Sequence, residues 1–340
     1  MRDVALKERV AGVRMAAAVE AVCLAFNENP EAVEPAVCAA IAAAATRINR
    51  YPFDDETRIM PRLAEHFGCP ERNLMLVRGI DECFDRISAE WPGMRFATAW
   101  PGFDGYRGRI AVFGLDHLEL GLTDTLQLNP TDLARISRND FVVLASPSNP
   151  TGLALTPDER ALLRQRAGKL LIDETYIDYS SQRMRVPGHG ENEYVFRSFS
   201  KSYGLAGLRL GVLFGPADAI ASMKRKQWFS NVGTLELNAL QAALDNDHAR
   251  DAHVVSTLAE RQRVSDALRA LGYRVVPSQA NFILVANPAG ERTLSYLREH
   301  GIQVKDAVQF GLPLHLRISI GRQRENDRLL AVLAAYSDHS

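Results

Sequence analysis

The 340-residue sequence predicts an α/β protein: a mostly parallel sheet sandwiched by helices, with a smaller α+β C-terminal lobe. Two observations carry that expectation. Between Glu31 and about Asn246, short apolar runs alternate with helical stretches and polar turns, the rhythm of parallel strands joined by helical crossovers. Beyond Asp247 the rhythm changes to one long amphipathic helix followed by alternating strand and helix. A chain that is 46% hydrophobic can bury a large core, and its length suggests about two domains. The expected division is an N-terminal arm, 1–30, that joins the small lobe, a large domain, 31–246, and a small C-terminal domain, 247–340.

The elements follow in order. The Ala-rich stretch 39–45 belongs to an amphipathic helix expected to pack on the sheet or on a dimer mate. Residues 75–77 form a strand that enters a glycine turn and a helix with Cys83, Phe84, Ile87 and Ser88 in phase. Further strands are expected at 95–99, 141–146, 170–173, 194–198 and 208–214. In the small lobe a helix through Val254, Leu258, Arg261, Val264 and Leu268 leads to a strand at 273–285. A helix at 293–300, a strand at 314–320 and a last helix at 325–336 complete it.

Composition excludes several classes. Lys+Arg 40 against Asp+Glu 41 leaves a net charge of −1, which argues against an extended nucleic-acid surface but permits a local cationic pocket. Cys23, Cys38, Cys69 and Cys83 include no Cys-x-x-Cys pair and no zinc spacing with histidine, so no metal is expected. They read as reduced, mostly buried thiols of a cytoplasmic protein. Asp3, Lys7, Glu8 and Arg9 interrupt any signal-peptide pattern, and no apolar stretch is long enough to span a bilayer.

Chemistry concentrates in four places. The first is the run from Ser198 to Arg209, in which Lys201 lies between Ser200 and Ser202. A lysine that must form an imine needs a partly desolvated setting, while hydroxyls and a guanidinium suit a phosphate dianion. Together they suggest pyridoxal phosphate. The second is the apolar run from Phe141 that stops at Ser146-Pro147-Ser148-Asn149-Pro150, placing Asn149 beyond a strand's carboxyl end, where open α/β sheets bind ligands. The third is Asp173, closing another apolar strand, where a carboxylate could keep a pyridine nitrogen protonated or could merely cap a helix. The fourth is the strand–Gly79–helix junction, whose free amides at Ile80 and Asp81 suit a phosphate. In addition, Arg317 takes the face of its strand opposite Leu316, Ile318 and Ile320 and needs a planar anion, either substrate or structural carboxylate. Nearby Arg322 could share that anion or cap the following helix.

With these residues in view, the chain resembles the fold-type I aminotransferases, the pyridoxal-phosphate-dependent transferase-like fold, and within them the histidinol-phosphate aminotransferase family. The resemblance runs from about Leu24 to the C-terminus. It rests on Asn27-Glu28-Asn29-Pro30, Asn49-Arg50-Tyr51-Pro52, Arg78-Gly79-Ile80-Asp81-Glu82, Ser146 to Gly152, Ile172 to Tyr176, Ser200-Lys201 through Arg209, and Leu316 to Gly321. It implies that Lys201 is the Schiff-base lysine and proton shuttle and that Asp173 pairs with the pyridinium. Asn149 and Tyr176 would hydrogen-bond the ring hydroxyl, making Lys201, Asp173 and Tyr176 the catalytic group. Ser198, Ser200, Arg209 and the backbone at Gly79, Ile80 and Asp81 would hold the phosphate, joined by Tyr51 of a neighbouring subunit. Phe103 would stack on the ring where the family more often has tyrosine. Asn27, Arg317 and Arg322 would meet the substrate.

The resemblance further implies a homodimer that exchanges an amino group between L-histidinol phosphate and 2-oxoglutarate, or a paralogue using a related amino donor. Other readings are a lyase such as a threonine-phosphate decarboxylase, and a non-catalytic binding protein on the same fold. Two departures from the family pattern stand out: no Tyr or Trp precedes Asn27, and Arg322 occupies a position where a small hydroxyl residue is common.

Overall fold

The computed structural model describes residues 21–183, 190–227, 229–287 and 289–337, so residues 1–20 of the expected arm lie outside it. Two sheets organise the chain. In chain order the elements up to the first sheet's middle are β1 (Val22–Leu24), α1 (Pro35–Ala44), α2 (Phe53–Phe67), β2 (Leu74–Val77), α3 (Gly79–Glu90), β3 (Arg95–Ala99), α4 (Asp104–Phe113) and β4 (His117–Leu120). There follow α5 (Pro130–Leu133), β5 (Asp140–Ala145), α6 (Pro157–Arg166), β6 (Lys169–Asp173), β7 (Glu193–Ser198), β8 (Gly211–Phe214), α7 (Ala217–Arg225) and α8 (Thr234–Asp245). The remainder comprises α9 (Asp247–Ala270), β9 (Val275–Val276), β10 (Phe282–Ala286), α10 (Glu291–Glu299), β11 (Ile302–Asp306), β12 (His315–Ser319) and α11 (Gln323–Ser337).

The larger sheet has the order β2-β8-β7-β6-β5-β3-β4. Strands β4, β3, β5, β6 and β7 run parallel, and β8 is antiparallel to both β7 and β2. Strand β5 explains why this sheet is buried on both sides: Phe141 and Val143 join one core, Val142 and Leu144 the other. From β3 the chain steps outward to β4 and then returns to β5 on the opposite side of β3, which makes a switch point between β3 and β5. Ala145 pairs with Asp173, and Asp173 with Phe196, so the carboxyl ends of β5, β6 and β7 open at one edge. That edge carries the turns with Asn149 and Lys201.

The smaller sheet has the order β1-β11-β12-β10-β9. One face buries Leu24, Ile302, Val304, Leu316 and Ile318 against Val264 and Leu268 of α9, Leu297 of α10, and Leu329 and Leu333 of α11. By strand alternation Arg317 and Ser319 lie on the other face, toward the larger sheet's carboxyl edge.

Several expectations need correction. The strand expected at 273–285 is two short antiparallel strands, with Leu284 opposite Val276. Pro277 lacks an N–H for the ladder, and the Ser278 hydroxyl donates to the Phe282 carbonyl at 2.6 Å and accepts from the Ala280 N–H, closing a turn. The strand expected from 208 begins only at Gly211, because Arg209 sits in the left-handed region at φ 56°. Strands β4 and β11 were not anticipated. Cys23 and Cys38 are exposed, and only Cys69 and Cys83 are buried. Helix α1 packs mainly on α8, with Val37 and Ile41 in the core shared by Leu74 and Val212 of the larger sheet, and leaves Ala39, Ala42 and Ala43 exposed on this chain. Among the described residues no helix is long and apolar enough to cross a membrane.

Behind the site edge lies a buried ionic bridge. Arg160 of α6 donates to Glu174 at 2.9 Å and to Glu193 at 2.6 Å, while Arg197 of β7 donates to Glu174 at 3.0 Å. Glu174 is fully buried and follows Asp173 directly, so this bridge fixes the end of β6. Removing one partner of a buried ion pair strands the other charge. Arg160→Ala is expected to lower unfolding stability by about 3 kcal/mol, read by urea titration, and a loss below about 1 kcal/mol would show that the bridge is not a structural constraint.

Candidate active site

The segment that leaves β1 crosses from the small sheet to the large one, and the site is built around it. The Ala25 carbonyl accepts from an Arg317 guanidinium nitrogen at 2.6 Å, and the Phe26 carbonyl accepts from Lys201 Nζ at 3.0 Å. Asn27, at φ 54°, donates its backbone N–H to Ser319 Oγ and accepts the Ser319 hydroxyl on its side-chain oxygen, both at 2.8 Å. Its side-chain amide donates to the Tyr176 hydroxyl at 3.1 Å, and its own carbonyl accepts from Asn281 at 3.1 Å. The side chain of Asn27, expected at the substrate, bridges the two sheets here through Ser319 and Tyr176.

Arg317 is 5% exposed. One terminal nitrogen donates to Asn149 Oδ1 at 2.6 Å, the other to Ala25, and Nε is buried without a partner. Phe310 and Phe282 flank its guanidinium at 5.0 and 5.5 Å from their ring centroids. Because its carbonyl oxygen is taken by Arg317, Asn149 keeps its side-chain N–H groups for another acceptor. Burial pushes the Arg317 pKa down.

Lys201 stands in the turn after β7. Burial, followed by repulsion from Arg317, pulls its amine down to about 8, against the attraction of Glu28 and Asp173. A fraction of it is therefore neutral near neutral pH. Tyr176 is buried, and burial pushes its phenol up against the pull of Arg317.

Asp173, at the end of β6, is held by three donors. Thr175 gives its N–H at 2.9 Å and its hydroxyl at 2.6 Å to Oδ1, and Tyr106 gives its hydroxyl to Oδ2 at 2.6 Å. Burial raises the acid's pKa, while these hydrogen bonds and the Lys201 charge oppose the rise. Tyr106 was missed from sequence. It stands three residues after Phe103, but its partner is 67 residues away and only tertiary structure joins them.

The expected phosphate residues meet at the neighbouring strand ends. Val77 and Ser198 both pair with Gly211, which brings the start of α3, the end of β7 and Arg209 together. Gly79 has φ +75°, and a β-carbon there would lie 3.0 Å from an Arg209 guanidinium nitrogen. The first amides of α3, at 79–81, have no acceptor within their own helix. Arg209 lies 3.8 Å from Asp81, and Ser200 N–H donates to Ser198 Oγ at 3.1 Å. Phe103 precedes α4 and meets Tyr106 edge-on at 5.1 Å.

Two expected residues stand apart. Arg322 turns its guanidinium to Glu31 at 3.3 Å, and its backbone N–H donates to Glu325 at the start of α11. Tyr51 is 71% exposed and stacks on Phe229 and Phe53 at 5.3 and 5.7 Å.

Set beside known proteins, this arrangement has close counterparts. Residues 19–333 match the model of the aminotransferase class I and II family, and the chain belongs to that family. It is a pyridoxal-phosphate-dependent aminotransferase of fold type I. The histidinol-phosphate aminotransferase of Geobacillus thermodenitrificans is 31% identical, over 93% of this chain and 90% of that one. The aromatic amino acid aminotransferase of Mycobacterium tuberculosis is also 31% identical, over 91% of each chain. A crystal structure from Burkholderia pseudomallei K96243, described as an aminotransferase, shares 75% identity at a TM-score of 0.93, over 95% of this chain and 100% of that one.

The residues fit the cofactor. The Gly79–Arg209 cradle that a side chain would fill and a depressed lysine amine are what an aldehyde carrying a phosphate needs. Covalent capture of pyridoxal phosphate by the apoprotein is expected to accelerate with pH and level off above about 8, as the amine loses its proton. A stopped-flow profile still rising to the ordinary lysine range near 10.4 would contradict the desolvated amine.

Proposed function

We propose that the chain moves an amino group between L-histidinol phosphate and 2-oxoglutarate, with L-glutamate as the other product. Pyridoxal phosphate supplies the electron sink for this exchange. Lys201 would carry the cofactor and move the proton at the substrate α-carbon, with Tyr176 and the free amide of Asn149 at the ring hydroxyl and Asp173 at the ring nitrogen. Gly79, Ile80, Asp81, Ser198, Ser200 and Arg209 would hold the phosphate, and Phe103 would cover the ring face. In this reading 31–246 form the large domain, and 247–340 with the arm form the small lobe that closes on substrate in a cytoplasmic enzyme.

The single observation that carries the substrate class is the buried Arg317 guanidinium, held by Asn149 and Ala25 with Nε left over. Such a site serves an acceptor carboxylate and a donor phosphate in turn, because a planar guanidinium matches both anions. Aromatic amino acids are the alternative donors, since the aromatic amino acid aminotransferase of Mycobacterium tuberculosis is as similar to this chain, at 31% identity, as the histidinol-phosphate enzyme is.

Half-reactions with histidinol phosphate, glutamate, phenylalanine and tyrosine, followed by loss of the lysine-bound cofactor absorbance, decide between them. Histidinol phosphate is expected to react fastest in kcat/KM and to require 2-oxoglutarate for turnover. Faster reaction with the aromatic amino acids would replace this donor assignment, and carbon dioxide release without an amino acceptor would replace transfer by a lyase.

The same reading includes a homodimer in which Tyr51 reaches the partner's cofactor phosphate. Its support is the exposed aromatic patch of Tyr51, Phe53 and Phe229, whose stacked rings face outward from this chain. Lys201→Ala and Tyr51→Ala homodimers are expected to be inactive and impaired respectively, each with its fold retained. Mixed dimers of the two are expected to recover one intact site each. No recovery on mixing would place the action of Tyr51 outside the partner's site.

A further inference from the structure

Asp173 offers about four lone-pair positions on its two oxygens. Three are taken inside the protein: both on Oδ1, by the Thr175 N–H and hydroxyl, and one on Oδ2, by Tyr106 at 2.6 Å. One position on Oδ2 remains. Tyr106 is itself 4% exposed, lies nearly parallel to Phe84 at 6.3 Å, and is met edge-on by Phe103 at 5.1 Å, so its hydroxyl can neither swing away nor reach water. Burial, followed by the Asp173 charge, pushes its own ionisation well above the ordinary tyrosine range, which keeps it a donor.

This fixed donor discriminates between the two forms of the acid. A carboxylate accepts the phenol proton as a charge-assisted hydrogen bond, stronger than any the phenol makes with the neutral acid, so the contact favours the ionised form. We infer that Tyr106 is a positioning residue for the cofactor ring: it holds Asp173 as an oriented carboxylate with a single acceptor position left for the protonated ring nitrogen. The inference rests on the role proposed above for Asp173. Thr175 also favours the ionised acid, but both its bonds are to Oδ1, so the orientation of Oδ2 is left to Tyr106.

The test compares equilibrium binding of pyridoxal phosphate to the apoprotein with binding of an analogue that has a C–H in place of the ring nitrogen. The wild type is expected to prefer the natural cofactor. Tyr106→Phe is expected to weaken pyridoxal phosphate on the order of tenfold, the scale of one hydrogen bond to a charged group, and to leave the analogue unchanged. Equal weakening of both ligands, or of neither, would overturn the inference, since a packing role does not distinguish them. Asp173→Asn supplies a second background in which a general packing loss from Tyr106→Phe would still show. Adding Tyr106→Phe to Asp173→Asn is expected to cost no further affinity, and a further tenfold loss there would also overturn it. A wild-type protein indifferent to the ring nitrogen would remove the Asp173 assignment and this inference together, whereas a wild-type preference that Tyr106→Phe leaves intact removes this inference alone.

Discussion

Two cations buried close together are tolerable only if each finds an acceptor without a counter-charge that would silence it. Here the acceptors are consecutive backbone carbonyls, Ala25 for Arg317 and Phe26 for Lys201. A carbonyl satisfies a donor but neutralises nothing, so both groups stay electrostatically hungry: the amine is driven toward its neutral form, and the guanidinium remains ready for an anion. The geometry requires that residues 25–27 run across the gap between the sheets, and the Asn27 contacts with Ser319, Asn281 and Tyr176 pin them there. The two lobes are thus registered by the same residues that set the chemistry.

The anionic side of the site is arranged in the opposite way. Asp173 is desolvated as deeply as Lys201, yet three donors hold its charge, and Glu174 beside it is tied to Arg160 and Arg197. Each acid at the end of β6 is therefore assigned a partner set, one facing the site and the other facing the scaffold. A parallel sheet makes this separation natural. Successive residues at a strand end point to opposite faces, so one carboxylate can serve the ligand while its neighbour locks the strand.

The legibility of the sequence divides along the same line between local and distant partners. Strands β5 and β6, the Gly79 turn and the lysine turn were readable because each is written in a few adjacent residues: an apolar run, then a punctuating Pro, Gly or acid. What escaped depended on residues far apart. Tyr106 shows only the stripe of a core helix, and the bond between Asn27 and Ser319 spans 292 residues that no local pattern joins. The 273–285 strand failed for a local reason, since apolar content hid the break that Pro277 imposes. The left-handed Arg209 shortened β8 because a guanidinium had to turn toward Gly79, a requirement that periodicity does not register.

Why substrate choice should be the least legible property follows from this architecture. Several buried site side chains are committed to one another: Asn149 to Arg317, Tyr176 to Asn27, Asp173 to Tyr106 and Thr175. Those commitments define a reaction on a cofactor and an anion, which is common to all class I and II aminotransferases. Around this centre lie exposed residues such as Phe26, whose backbone carbonyl holds the lysine amine, and Glu28, whose charge acts on it. Such residues carry few packing obligations, so they can change without disturbing the fold. A relative at 31% identity can therefore share the machinery and still differ in donor, as the two curated relatives do from each other.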